Sequence, residues 1–337
     1  MTTLVTGARG FVGWHIARLL TTRVNRVRVL VRPGSQLRSL EALNVDCVYG
    51  DLRDASSLSK ALEGVRQVFH VAADYRLWAK DPDEIYESNV AGTRNLLEVS
   101  RQAGVERFVY TSSCSVYGAA AEDMVDEDSP LRPQTTYAIC KELVERDVAQ
   151  MADDGFSPTF LRNATAYGAS PRMRFDIVLN NLSGLAWTTK EIRLESDGTP
   201  WRPLVHLLDI SQAVACVLDA PRERIHNQVL NVGDVSGNYQ IREIAEIVAG
   251  VFPGCEVTVA GRGPDARSYR VSFAKIHEVL PEFECNWNAE LGARQLHDVF
   301  SLIGPEEEDF RSRRYTRLKQ IEYLLRTGQI DGSFLWK

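Results

Sequence analysis

Thr6-Gly7-Ala8-Arg9-Gly10-Phe11-Val12-Gly13, preceded by the apolar pair Leu4-Val5, is the stretch that decides the fold. A short β-branched run, three glycines spaced G-x-x-G-x-x-G and an amphipathic stretch after them read as a strand, a tight turn and the start of a helix. Glycine is required because a side chain would keep a pyrophosphate from the backbone N–H groups at the positive helix end. It would also hold helix and strand apart. In that context the spacing predicts a dinucleotide site formed by Gly7, Arg9, Gly10, Phe11, Val12 and Gly13.

Outward from this turn, β-branched runs alternate with helical periods as far as residue 168. Strands are expected near Thr3 to Thr6, Val27 to Val31, Asp46 to Tyr49, Gln67 to Val71, Phe108 to Thr111 and Thr159 to Leu161. Helices are expected over Ile85 to Ala103 and Tyr137 to Ala152. This is the pattern of βαβ units, so the expected class is α/β, a doubly wound parallel-sheet Rossmann fold. Past Gly168 the regularity breaks at Ser170-Pro171, Gly198-Thr199-Pro200 and Gly261-Arg262-Gly263-Pro264, which predicts a smaller C-terminal α/β substrate lobe. A strand, helix, strand set over Val205 to Val232 predicts a return to the sheet. The expected division is therefore discontinuous: residues 1–168 and about 204–234 bind cofactor, and about 169–203 and 235–337 bind substrate. A charged tail from Pro305, with Arg314 to Leu325 as an expected helix, carries no assignable chemistry.

The end of the second strand selects the dinucleotide, because a carboxylate there bonds a free ribose whereas a basic side chain accommodates a 2′-phosphate. Here it reads Leu30-Val31-Arg32-Pro33-Gly34-Ser35, with Arg38 expected one helical turn later and no acid in the run. Arg32, Arg38 and Arg9 are three forked donors for such a phosphate, so NADP(H) is favoured, with NAD(H) the alternative. Against this stands the plainer reading of three solvated arginines. Asp51, in Gly50-Asp51-Leu52, is expected near the adenine amino group or as the cap of a helix beginning near Ser56.

Tyr137 and Lys141 stand four residues apart, neighbours on one helical face. A nearby ammonium and the positive nicotinamide ring favour the phenolate, which suits Tyr137 to act as a base. The hydroxyl-rich run Thr111-Ser112-Ser113-Cys114-Ser115 leaves the fifth strand at the carboxyl edge, where such sheets bind ligands, and Ser113 is expected to hold the substrate oxygen.

With these motifs in order, the sequence resembles the extended short-chain dehydrogenase/reductase family, the nucleotide-sugar epimerases and dehydratases. Thr6 to Gly13 is similar to T-G-x-x-G-x-x-G, His70-Val71-Ala72-Ala73 to H-x-A-A, and Asn89-Val90-Ala91-Gly92-Thr93 to N-V-x-G-T. Ser113 to Gly118 resembles S-x-x-V-Y-G, and Tyr137 with Lys141 resembles Y-x-x-x-K. The resemblance implies Ser113, Tyr137 and Lys141 as the catalytic set, with cofactor contacts that include Leu52, Ala72, Ala73, Tyr137 and Lys141. The first half looks most like hopanoid-associated sugar epimerases and their dihydroflavonol-reductase-like relatives. Sugar 4,6-dehydratases carry an Asp-Glu pair where this chain has Cys114 and Ser115, which argues against dehydration. Cys114 also stands one residue early for a 3,5-epimerising cysteine and reads as structural.

In the second lobe, Pro200-Trp201-Arg202-Pro203-Leu204-Val205-His206 resembles the family segment whose arginine binds the substrate pyrophosphate, and Arg262 falls where a second is expected. Solvated surface charges are the competing reading. Asn180 is a further candidate for phosphate or sugar, against a merely solvated amide. Tyr75, Trp78 and Trp201 are candidates for the pocket wall, against core packing. His206 reads as a packed structural histidine.

The resemblance implies reversible oxidation of a sugar carbinol and return of hydride to the other face, net epimerisation at C4. The alternatives are an NADPH-dependent reductase of a keto-sugar or other carbonyl, and a non-catalytic cofactor sensor. The formal charge of −6 gives no pull toward phosphate backbones or anionic lipid, so no nucleic-acid or membrane partner is expected. No run approaches the ~20 apolar residues of a span, and the first residues lack the pattern of a signal peptide. Six scattered cysteines fit a reducing compartment and offer no metal spacing, so a cytoplasmic enzyme without metal is expected. The resemblance further implies a homodimer packed through the two long helices.

Overall fold

The computed structural model describes residues 2–75, 81–118, 124–194, 196–259 and 268–306. Trp78, Arg262 and the expected tail helix lie outside the described residues. The chain opens with β1 (Thr2–Thr6), α1 (Gly13–Leu20), β2 (Arg26–Val31), β3 (Asp46–Tyr49), α2 (Ala55–Leu62) and β4 (Val65–His70). Next come α3 (Pro82–Tyr86), a π-helical turn at Glu87–Ala91, α4 (Gly92–Gln102), β5 (Arg107–Ser113), β6 (Met124–Val125), α5 (Thr136–Ala149) and β7 (Ser157–Asn163). After them run β8 (Thr165–Tyr167), α6 (Val178–Thr188), β9 (Glu191–Leu194), β10 (Trp201–His206), α7 (Leu207–Asp219), α8 (Arg222–Ile225) and β11 (Gln228–Val232). The last described elements are β12 (Asn238–Gln240), α9 (Ile241–Val251), β13 (Glu256–Val259), β14 (Arg270–Val271), α10 (Ala274–Val279) and α11 (Ala289–Ile303).

Seven parallel strands form the main sheet in the order β11-β7-β5-β4-β1-β2-β3. Both faces are covered, which is why its strands read as continuous apolar runs. Leu4 and Val5 are both fully buried yet point to opposite sides. Val5, Val29 and Val109 pack with α1 and α7 through Ile16, Ile210 and Val214. Leu4, Val68 and Phe108 pack with α2, α4 and α5 through Leu58, Leu96 and Val144. Strand order reverses between β1 and β4, and the crevice at their carboxyl ends is where such sheets take ligands.

A separate core of Leu179, Ile192, Leu204, Ile244, Leu296 and Phe300 holds the second lobe. The expected return to the sheet is made by β11 alone. β10 instead joins a three-stranded sheet with β8 and β12, because β8 follows β7 after the single residue Ala164 and carries the pairing away from the main sheet. The helix expected from Ile85 begins earlier, with Asp81 capping the Asp83 N–H at 2.9 Å and proline in the first turn. Among the described residues no helix is long and apolar enough to cross a membrane.

Candidate active site

The glycine turn is fixed by contact between backbones. A Cβ on Gly13 would lie 2.2 Å from the Gly7 carbonyl oxygen, and one on Gly7, whose φ is +73°, would lie 2.6 Å from the Ala72 nitrogen. Thr6 ties this turn to β4, its hydroxyl accepting the Val71 and Ala72 N–H groups at 3.1 Å each. The same hydroxyl meets His70 Nδ1 at 2.7 Å. His70 Nε2 lies 2.8 Å from the Thr93 hydroxyl, which itself donates to the Asn89 carbonyl. Since Thr93 has spent its proton, His70 carries its own on Nε2. Burial, then Lys141, pulls the His70 pKa down to about 3, so the ring stays neutral. Asn89 closes the loop by accepting the Asp74 N–H at 2.6 Å and donating to the Asp74 carbonyl at 2.7 Å. Ala72 and Ala73 are thereby held half-buried at the carboxyl edge of β4.

The residues present fit a dinucleotide. No side chain caps α1 at Val12, and the N–H groups of Phe11, Val12 and Gly13 find no acceptor among the described residues. These are free donors at a positive helix end. Arg9 donates to the Ser35 hydroxyl at 2.7 Å, at the end of β2, while its Nε is buried with no partner. Burial first, then the like charges of Arg172 and Arg32, lower the Arg9 pKa. Arg38 is exposed and sits in a turn where a helical turn was expected. Asp51 is ion-paired to Arg53 at 2.9 Å and does not cap α2; Asp54 does, accepting the Ser56 N–H. Leu52 is half-buried, its carbonyl accepting from Asn95 at 2.9 Å.

Ser113, Tyr137 and Lys141 come together at the carboxyl end of β5. Thr135 caps α5 by accepting the Ala138 N–H at 3.2 Å, which sets Tyr137 in the first turn. The Ser113 hydroxyl accepts the Ser115 N–H at 3.2 Å and lies close enough to the Tyr137 phenol to lower its pKa. Lys141 Nζ, on a side chain that is 3% exposed, donates to the Thr111 carbonyl at 2.6 Å and lies 5.6 Å from the Tyr137 ring centroid. Burial pulls the ammonium down to about 7, with the Glu145 carboxylate opposing it. Burial likewise pushes the Tyr137 phenol up to about 12, against the lowering influence of Arg174 and of Ser113. Arg174, a guanidinium from the second lobe, is thus a second cation beside the phenol, in addition to Lys141.

Arg174 stacks on Tyr75, 3.9 Å from the ring centroid, and forks onto Asp176 at 2.9 and 2.7 Å. Tyr75 therefore lines the Tyr137 side of the cleft. Asn180 is fully buried, and both ends of its amide bond the backbone of Gly168 at 3.0 Å. It braces the turn after β8, and with 0% exposure its remaining N–H and lone pair stay inside the protein. Arg202 stands half-buried on β10, its Nη1 donating to the Trp201 carbonyl at 2.8 Å. His206 is buried, bonded to Gln295 at 3.0 Å and stacked on Trp287. Cys114 is buried against the Arg162 carbonyl, and burial pushes its thiol up, away from thiolate chemistry. The sequence reading missed Arg172, Arg174 and Glu145. Glu145 follows Lys141 by four residues on the same face of α5, a spacing that does not by itself separate it from a solvated carboxylate.

Residues 3–233 match the NAD dependent epimerase/dehydratase family. Over 171 residues the chain is 40% identical to sterol demethylase protein B of Methylococcus capsulatus, an alignment that takes in 50% of this chain and 52% of that protein. The chain thus spans about half the length of that relative. It is 31% identical over 274 residues to a UDP-glucose 4-epimerase of Lactobacillus helveticus, across 74% of this chain and 82% of the relative. Among solved structures, MoeE5 in complex with UDP-glucuronic acid and NAD superposes with a TM-score of 0.77 at 27% identity, covering 90% of this chain and 100% of that one. Since the family match runs unbroken through the glycine turn, the Ser113 strand and the Tyr137 helix, the chain belongs to the NAD dependent epimerase/dehydratase family.

Proposed function

We propose that the chain is a nicotinamide-dependent epimerase of a nucleotide-activated sugar, acting at C4 in the cytoplasm. The observation that carries this is the convergence of Ser113, Tyr137 and Lys141 at the carboxyl edge beside the glycine turn, with Lys141 Nζ 5.6 Å from the Tyr137 ring centroid and bonded to the Thr111 carbonyl. The relatives that include a UDP-glucose 4-epimerase and a protein binding UDP-glucuronic acid support a sugar nucleotide as the substrate class. Six unpaired cysteines support a reducing compartment. A bound nicotinamide supplies the hydride acceptor in one direction and the donor in the other. Tyr137 takes the hydroxyl proton as the carbon–hydrogen bond breaks and returns it when the carbonyl is reduced. Ser113 holds the reacting oxygen throughout. Lys141, held by the Thr111 carbonyl, favours the ionised phenol, and Arg174 adds charge of the same sign. Rotation of the keto-sugar between the two transfers inverts the centre.

A second reading, net reduction of a keto-sugar or other carbonyl by NADPH, is favoured by the basic end of β2. Arg9, Arg32 and Ser35 there offer a phosphate site, and the run Leu30 to Ser35 contains no acid. The two readings separate when purified protein is incubated with a panel of nucleotide sugars and catalytic NADP+ or NAD+. Formation of an epimer with no net change in reduced-nicotinamide absorbance is expected. Inertness toward every sugar nucleotide, with stoichiometric NADPH consumption on a ketone panel, would leave the reductase.

A further inference from the structure

The segment that leaves β8 is pinned at residue after residue. Asn180 bonds both backbone groups of Gly168, and Gln295 accepts the Ala169 N–H at 2.9 Å. His15, on α1, meets the Ala169 carbonyl at 3.0 Å. The Ser170 hydroxyl donates to the Phe11 carbonyl at 3.0 Å, inside the glycine turn itself. The next residues are Pro171 and Arg172, so a strap of the second lobe is laid across the first helix turn and ends on a guanidinium.

That guanidinium arrives among its own kind. Arg172 and Arg32 are the charges felt by Arg9, and the three form no ion pair among the described residues. Arg9 additionally leaves a buried Nε without an acceptor while its Nη1 holds Ser35. Asp51 feels Arg32 but is forked by Arg53, so no carboxylate is bonded to the three arginines, and like charges gathered in this way cost free energy unless an anion completes them; a planar fork suits phosphate oxygens. The cluster lies at the end of β2, while Ser113 ends β5 two strands beyond β1 in the sheet, so the anion is not at the reacting carbon.

We infer that Arg172 is the third arginine on the 2′-phosphate of an adenosine dinucleotide, together with Arg9, Arg32 and the Ser35 hydroxyl, so that the cofactor's adenosine end is clasped by both lobes. This rests on the NADP reading of the β2 end and assigns to Arg172 the place that sequence spacing gave to Arg38. Through Met173 the strap continues directly into Arg174, which stacks on Tyr75 and acts on Tyr137. Phosphate binding at one end of the strap therefore fixes the wall of the reaction cleft at the other.

The test is calorimetric titration of the full chain with 2′,5′-ADP and with 5′-AMP, which needs no turnover. Wild type should prefer 2′,5′-ADP. Arg172→Met should weaken 2′,5′-ADP about tenfold, the loss expected for one charged hydrogen-bonding partner, and leave 5′-AMP unchanged; Arg38→Met should change neither. Undiminished 2′,5′-ADP binding by Arg172→Met, with loss in Arg32→Met, would overturn the inference and leave the NADP reading standing. Equal loss of both ligands in Arg172→Met would also overturn it, as a packing effect. Absence of any preference in wild type would remove the NADP reading and the inference with it.

Discussion

Lys141 sits between two influences that the residues around it make explicit. Burial alone disfavours its charge, and Glu145, one helical turn on, favours it. Glu145 is in turn forked by Arg162, with side chains 8% and 5% exposed and a closest approach of 2.7 Å. Arg162 also donates to the Tyr117 hydroxyl at 3.0 Å. Because the native pKa of Lys141 is about 7 and the unfolded value is about 10.4, the unfolded chain binds the extra proton between these values. Lys141 therefore makes stability rise with pH across that window, while below about pH 7 both states are protonated and the native state bears the full penalty. Urea midpoints at about pH 7 and about pH 9.5 should show this rise in wild type, and Lys141→Met should flatten it; equal slopes in the two proteins would refute the assignment. Tyr137 and Lys141 were legible in sequence because two chemically distinctive residues share a helix face. Glu145 was not, since a carboxylate on a helix ordinarily faces water and nothing local announces that Arg162, from β7, will cover it.

Among elements, the turn between β1 and α1 was readable almost residue by residue, because Gly10 and Gly13 answer to steric demands within the turn itself, while Gly7 needs its positive φ and a close approach to Ala72. Gly13→Ala should test this. Its Cβ would press on the Gly7 carbonyl oxygen and carbon and the Ala8 nitrogen, all backbone, so the turn must open rather than a side chain step aside. A cost of about 3 kcal/mol or more is expected, together with loss of nicotinamide-dinucleotide binding followed by reduced-cofactor fluorescence. Gly250→Ala in α9 meets nothing within 4 Å and should gain about 0.5–1 kcal/mol. Similar unfolding midpoints for the two variants would contradict the steric account. The second lobe was less legible for the converse reason. β10 pairs with β8 on one side and β12 on the other, partners set by long-range register that a run such as Trp201 to His206 does not encode. The π-helical turn at Glu87–Ala91 hides likewise inside an ordinary helical period, yet it carries Asn89 to the Asp74 backbone.

At the scale of the whole molecule, α5 shows two stripes with different destinations. Tyr137, Lys141 and Glu145 turn toward the sheet and the site. Ile139, Leu143 and Asp147, with Met151 beyond the helix end, run along another side and stay half-buried in the single chain. Beside them α4 contributes Arg94, Leu97 and Arg101 to a groove of about 380 Å³ that Asp147 and Met151 also line. An apolar seam rimmed by both signs of charge is the make-up of an interface, and a two-fold pairing would set each patch on its own copy. The ion pairs Arg94 to Asp147 at 2.7 Å and Arg101 to Asp153 at 2.5 Å already fasten α4 to the end of α5, so the patch is rigid before association. A homodimer through these two helices follows as the expectation, with light scattering reading twice the mass of the 337-residue chain. Leu143→Glu places a charge in the seam without disturbing the stripe that faces the site, and should give a folded monomer with an unchanged thermal transition at low concentration. A wild-type chain that elutes as a monomer at micromolar concentration would sink the proposal. A Leu143→Glu protein that stays dimeric would move the interface to another face and leave the seam as part of the chain's own core.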